Sequence, residues 1–168
     1  MRLIYNEKMD YIYFELNNRK LKINRENSED IWIWKETKNP YWKRPALNVD
    51  KDGYFVVTIG NKRMKHHRVI FYAHNQDWDI HDTSQLNLID HEDHNRKNNN
   101  PNNLRIATKQ QNNWNRKNTK GYYWDKLYKK WHAQICLNNK KIYLGYFDTE
   151  EEARLAYLTA KKIHHPDW

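Results

Sequence analysis

The sequence predicts an α+β protein, and three observations predict it. Short apolar–polar alternations broken by Asn- and Gly-bearing turns fill the first third of the chain. A strand–loop–strand–helix pattern follows over 86–117. Two alternating strands and an amphipathic helix close the sequence.

In order along the chain, 11–16 and 20–23 flank the turn residues Asn17-Asn18-Arg19 and read as a β-hairpin. Residues 31–34 (Ile-Trp-Ile-Trp) form a further short strand. Asp52-Gly53 is a turn signal before a strand over 54–59. Gly60-Asn61-Lys62 turns into 63–67, and 67–74 reads as a short helix with Val69, Ile70 and Ala73 on one side. Residues 86–89 are a strand, 90–103 a polar loop containing Pro101, and 104–107 a second strand. Thr108 then caps a helix from Lys109 to about 116. After Gly121 a strand begins at Tyr122. Trp131, Ala133, Ile135 and Leu137 alternate with His132, Gln134 and Cys136, and Asn138-Asn139 makes the turn. The return strand over 140–147 puts Ile142, Leu144 and Tyr146 on its apolar face. Thr149 and Glu152 form a capping box, and Ala153, Ala156, Tyr157, Ala160 and Ile163 recur at helical spacing. Glu150 and Glu151 sit at the positive end of that helix, Lys161 and Lys162 at its negative end. This divides the chain into a β-rich region (1–53), a central unit (54–117), a hinge (118–120) and a C-terminal unit (121–168).

Composition narrows the function classes. The 168 residues carry 30 Lys+Arg against 21 Asp+Glu, a net charge of +9. The surplus is spread as +2, +4 and +3 over residues 1–50, 51–119 and 120–168, as a long contact surface for a polyanion would be. Three ordinary basic surfaces would look the same. No apolar run approaches the roughly 20 residues of a membrane span. The N-terminus lacks the apolar stretch of a signal peptide, so a cytoplasmic protein is expected. The single cysteine, Cys136, can neither staple the fold nor build a Cys-rich zinc site. Eight Trp and twelve Tyr argue for small aromatic cores rather than disorder. The 22 Asn offer turns and hydrogen bonds to phosphates and base edges.

The segment with the most chemistry runs from Asp90 to Asn112. Asp90 and His91 are adjacent, so their side chains diverge and can do separate jobs. A carboxylate offers a hard oxygen to Mg²⁺, which takes few protein ligands. A neutral imidazole can deprotonate a water. Asn112, on the following helix, offers a second oxygen. Phosphodiester hydrolysis needs such parts. By spacing and composition alone, a polar loop that only makes turns is the simpler reading.

Residues 54–117 resemble the HNH nuclease family, in the subgroup of phage and intron homing endonucleases. The resemblance rests on Asp90-His91-x-Asp93-x-Asn95, Asn98-Asn99, Asn102-Asn103-Leu104-Arg105 and Thr108-Lys109-Gln110-Gln111-Asn112, preceded by His67-Arg68-Val69-Ile70. It implies a ββα-metal fold with one divalent cation, Mg²⁺ or another such as Mn²⁺. It implies Asp90 and Asn112 as metal ligands, His91 as general base, and Asn103 as the residue orienting the loop that carries His91. Asn112 stands where many HNH enzymes have a final His. The structural zinc that some HNH enzymes hold on two Cys pairs is excluded by the single cysteine. His94 and His66 are read as solvent-facing or phosphate-contacting. His164 and His165 are assigned to a solvated helix end.

Residues 120–165 resemble the DNA-binding domain of the Apetala2/ethylene-response-factor type, which also occurs in phage HNH proteins. Gly121-Tyr122-Tyr123-Trp124, Lys130-Trp131-His132-Ala133-Gln134-Ile135 and Tyr143-Leu144-Gly145-Tyr146-Phe147-Asp148-Thr149 carry that resemblance, and Ala156-Tyr157 continues it. It implies a three-stranded antiparallel sheet that enters the major groove, backed by one helix. Tyr123, His132, Gln134, Lys141 and Tyr143 are then the DNA-facing residues. Plant members carry Arg and Trp at such positions, so their base preferences do not transfer to this chain.

Together these resemblances imply a monomeric, site-specific DNA endonuclease of homing type in a prokaryotic or phage-infected cell. It would act on double-stranded DNA and cut by hydrolysis, as by nicking one strand. The alternatives are a non-catalytic DNA-binding regulator and an HNH restriction nuclease.

Overall fold

A computed structural model describes residues 10–115, 120–138 and 140–165. The chain is a mixed α+β protein of two compact units, Met1–Thr108 and Lys109–Trp168.

The first unit opens with a four-stranded antiparallel meander, β1 (Tyr11–Leu16), β2 (Arg19–Asn24), β3 (Ile31–Lys35) and β4 (Tyr41–Lys43). Asn17 and Asn18 turn β1 into β2 with φ of 51° and 57°, the left-handed backbone that Asn tolerates and a two-residue hairpin requires. A second sheet joins β5 (Asn48–Val49), β6 (Phe55–Ile59) and β7 (Lys62–Lys65), and α1 (His66–His74) follows directly. β4 and β5 lie outside the sequence expectation. They are three and two residues long, too short to show a period.

β8 (Leu88–His91) and β9 (Leu104–Ala107) pair antiparallel, with a 3₁₀ turn at Pro101–Asn103 leading into β9. The strand expected at 86–89 is thus shifted by two residues. Leu86 is exposed, and the Asn87 side chain is spent on the preceding loop: it accepts from Trp78 Nε1 and donates to the Asp79 carbonyl at 3.0 Å. Arg68 secures that loop, donating to the carbonyls of Ile80, Asp82 and Asn87 at 2.8, 2.7 and 3.1 Å. The shift places Asp90 and His91 inside the strand end instead of in the loop after it.

One hydrophobic core serves this whole unit. Leu21, Ile23 and Ile31 of the first sheet cluster with Ile59, Val69, Ile70, Ile89 and Leu104. Residues 10–53 are therefore no separate region: they share a core with the segment that carries the Asp-His pair.

In the second unit, α2 (Lys109–Trp114) precedes an antiparallel sheet of β10 (Tyr122–Asp125), β11 (Lys130–Leu137) and β12 (Lys140–Phe147), and α3 (Glu150–His164). Both hydrogen bonds of the Thr149/Glu152 capping box are made, at 3.2 and 3.1 Å. The core is small: Ile135, Tyr157 and Ala160, flanked by Tyr122, Ile142 and Leu144. Ile163, assigned to the apolar stripe, is exposed, whereas His165, assigned to a solvated end, is buried. The Trp114 ring stacks on His165 at 3.7 Å between centroids, and Lys161 Nζ donates to the Trp114 carbonyl at 3.0 Å. These contacts assign α2 to the second unit. Of the expected hinge, Asn118 and Thr119 lie outside the described residues, as does Asn139 of the hairpin turn.

A register shift between Ala133 and Gln134 alters the face of β12. Ala133 pairs with Gly145 while Gln134 pairs with Tyr143, leaving Leu144 as the extra residue. The bulge re-aims Tyr146, which the alternation put on the apolar face. Its ring lies 5.2 Å from His132 and 5.7 Å from Tyr143, on the opposite face. Among the described residues, no helix is long and apolar enough to cross a membrane.

Candidate active site and nucleic-acid interface

The first unit gathers its polar chemistry at the end of β8. His91, paired with Leu104 of β9, is 4% exposed. Its ring packs edge-on against His67, 4.9 Å between centroids, and lies 5.8 Å from the ring of Tyr54. Its Nε2 is 2.9 Å from Asn99 Oδ1, and Asn99 Nδ2 is 3.3 Å from His66 Nδ1. Asp90 lies opposite Arg105 in the β-ladder, with its carboxylate 3.5 Å from the guanidinium.

The loop after His91 is knotted by Asn103 and Asp93. Asn103 Oδ1 accepts from the Asp93 backbone N–H at 3.0 Å, and its Nδ2 donates to Asp93 Oδ1 at 2.9 Å and to the Asn98 carbonyl at 2.8 Å. The Asp93 carboxylate also accepts from the Asn95 N–H at 2.8 Å and from Asn98 Nδ2 at 2.7 Å. Burial pushes the Asp93 carboxyl up, but the bonds from Asn98, Asn95 and Asn103 outweigh it and hold the group below the usual carboxylate range. The Asn-rich composition is used here: the Asn98 and Asn103 amides each both donate and accept, so a short loop closes on itself.

Cations flank the histidines. Lys65 Nζ lies 3.9 Å from the centre of the Tyr54 ring and the Arg96 guanidinium 5.1 Å from it, and Arg96 Nη1 donates to the Asp52 carbonyl at 2.7 Å.

Burial sets the protonation of the three histidines. It lowers His66 to about 4, puts His67 well below its ordinary value, and lowers His91 against the opposing pull of Asn99 and Asp90. All three are neutral at pH 7, the state in which an imidazole can take a proton. His66, expected at the surface, is wholly buried at the start of α1, while His94 is exposed as expected. Their sequence neighbourhoods are alike. The β7–α1 turn that tucks His66 under the loop is a tertiary feature.

A stability prediction follows. An unfolded His titrates near 6.5 and folded His66 near 4, so between those values the unfolded chain binds more protons. Stability present at neutral pH is lost as pH falls through this window. The loss is on the order of 3 kcal/mol from His66 alone. Urea midpoints at pH 7 and pH 4.5 measure it. His66→Gln should flatten the dependence, and an equal pH slope in both proteins would refute the assignment.

Of the two expected metal ligands, Asp90 brings the donor chemistry that suits a divalent cation in this unit. Among the described residues, no group of three His, Cys, Asp or Glu could hold a metal. Asp90 offers one hard carboxylate, which suits a cation that keeps most of its water, such as Mg²⁺. Asn112, the other expected ligand, lies on α2 of the second unit.

In the second unit, three of the five expected DNA-facing residues are in contact. His132 lies 4.8 Å from Tyr123 and 5.3 Å from Tyr143, centroid to centroid, and both tyrosines are exposed. Gln134 pairs with Tyr143 and Lys141 with Cys136 further along the ladder. Tyr146 adds a fourth ring that alternation alone missed, because a bulge leaves no mark on it. Its hydroxyl donates to Asp125 Oδ2 at 3.2 Å, and desolvation with the Asp125 contact pushes it up to about 12. The strip is therefore a row of planar rings with amide and ammonium groups beyond it. Such a surface suits stacking and hydrogen bonding to a nucleic acid.

Compared with family models, curated proteins and solved structures, the chain gives no match.

Proposed function

We propose that the chain is a site-specific DNA endonuclease of homing type, in which the first unit hydrolyses a phosphodiester bond and the sheet of the second unit reads the target. The observation that carries this reading is the buried, neutral His91 at a strand end directly after Asp90, followed by a loop that Asn103 holds closed. His91 takes the proton of the attacking water. Asp90 would hold a divalent cation, whose charge, when bound, offsets the negative charge developing on the scissile phosphate and the leaving 3′ oxygen. Asn112 enters as a second oxygen ligand on the sequence resemblance alone. Arg96 and Lys65 add positive charge beside the histidine cluster, which favours a polyanion there.

The test is incubation of the full chain with supercoiled plasmid or phage DNA and Mg²⁺, with EDTA as control. Nicked or linear product that needs the cation supports the reading. Tight binding with no cleavage of any DNA would replace it with a non-catalytic regulator. For the reading sheet, Gln134→Ala is expected to cost about 1–3 kcal/mol on the preferred site and almost nothing on random DNA. Equal losses on both, measured by gel shift, would remove Gln134 from base readout.

A further inference from the structure

We infer that Asn99 is a positioning residue that fixes which nitrogen of His91 is basic, and that His66 in turn fixes Asn99. This rests on His91 being the base of the proposed endonuclease. Asn99 is 3% exposed and His66 fully enclosed, so neither amide nor imidazole can exchange its partner for solvent. The amide bridges the two rings, 2.9 Å from His91 Nε2 through Oδ1 and 3.3 Å from His66 Nδ1 through Nδ2.

The distances select the direction of the chain. A 2.9 Å contact is the usual length of an N–H···O bond, and the longer one suits the weaker N–H···N bond. His66 Nδ1 therefore accepts from the amide, which turns Oδ1 toward His91, which then carries its proton on Nε2. Nδ1 of His91 is left as the basic nitrogen. When it takes a proton from water, the O–H bond breaks and an Nδ1–H bond forms. The resulting imidazolium keeps Nε2–H on Asn99 Oδ1, in a bond strengthened by the charge. The opposite amide orientation would put the resting proton on Nδ1 and the lone pair on Nε2, against the Asn99 amide. In this tautomer His66 holds its proton on Nε2, which is buried and, among the described residues, has no hydrogen-bond partner. It is the outer end of this relay.

The experiment is two-bond ¹H–¹⁵N correlation on the ¹⁵N-histidine-labelled full chain at neutral pH, without DNA. The expected spectrum shows His91 and His66 both protonated at Nε2. Asn99→Ala should move the His91 signals toward the tautomer average. It should also slow nicking at saturating DNA by roughly 100-fold, with KM moving less than about threefold. Asn99→Asp, which keeps the acceptor, should keep the His91 tautomer. A wild-type His91 protonated at Nδ1, or an unchanged tautomer in Asn99→Ala, would overturn the assignment. Should Asn99→Ala fail to fold, the wild-type spectrum and Asn99→Asp decide. Because the tautomer is read without DNA, a chain that never nicks sinks the endonuclease reading separately from this one.

Discussion

His91→Ala is expected to slow nicking of supercoiled DNA by roughly 10²–10⁴-fold while leaving DNA binding near the wild-type level. The reason is the division of labour at the end of β8. In the proposed endonuclease, binding would draw on the basic surface and the ring-lined sheet, none of which includes His91. Proton removal draws on a neutral imidazole, and burial keeps this one neutral. The substitution also removes a ring packed against His67 and Tyr54, so some stability is lost with it. Loss of rate through unfolding is separable by comparing urea midpoints. His91→Asn, which keeps polar bulk, should be as slow as His91→Ala. Wild-type nicking by either variant would remove His91 from the chemistry.

Gly121→Ala is expected to unfold much of the second unit. A β-carbon at this position would come within 2.1 and 2.2 Å of the Tyr157 ring and 2.5 Å of the Gln134 carbonyl oxygen. Neither neighbour can yield easily. Tyr157 belongs to the buried core cluster of Ile135 and Ala160, and the strand carrying Gln134 is tied to this point by its own N–H, which donates to the Gly121 carbonyl at 2.7 Å. Overpacking of this kind costs about 1–3 kcal/mol and more where backbone must move. A core this small holds only a few kcal/mol in reserve. The expected signature is a lost or early melting transition for the second unit, loss of site-specific binding, and an intact first unit. An unchanged transition would show that β10 can shift away from Tyr157 at little cost.

Elements with a strong local period were legible in the sequence. The β1–β2 hairpin, α1, the β11–β12 pair and capped α3 each repeat a pattern over several residues, and each appears where the pattern puts it. What escaped was set by partners distant in sequence. β8 began at Leu88 because Asn87 was occupied by Trp78 and Asp79. Tyr146 changed faces because one extra residue in β12 reversed the parity of the strand. His66, expected as a solvent-facing or phosphate-contacting residue, and His165, expected at a solvated helix end, are both buried, because a histidine carries no mark of burial. Asp90, His91 and Asn103 rest on an ordered motif in the sequence. Asn99 was in the same motif but without a role, because its partner His66 lies 33 positions away.

The stack of Trp114 on His165 bears on how such a chain could be recombined. A swap of C-terminal units at residues 118–120, the hinge expected from the sequence, would separate Trp114 from the histidine that covers it and from Lys161. It would graft a foreign helix end under a tryptophan shaped for this one. A seam at Thr108 instead keeps α2 with its own support, and hands Asn112 over together with the sheet. The inheritable piece is thus larger than the three-stranded sheet with its helix, and exchanging that sheet would exchange Asn112 with it.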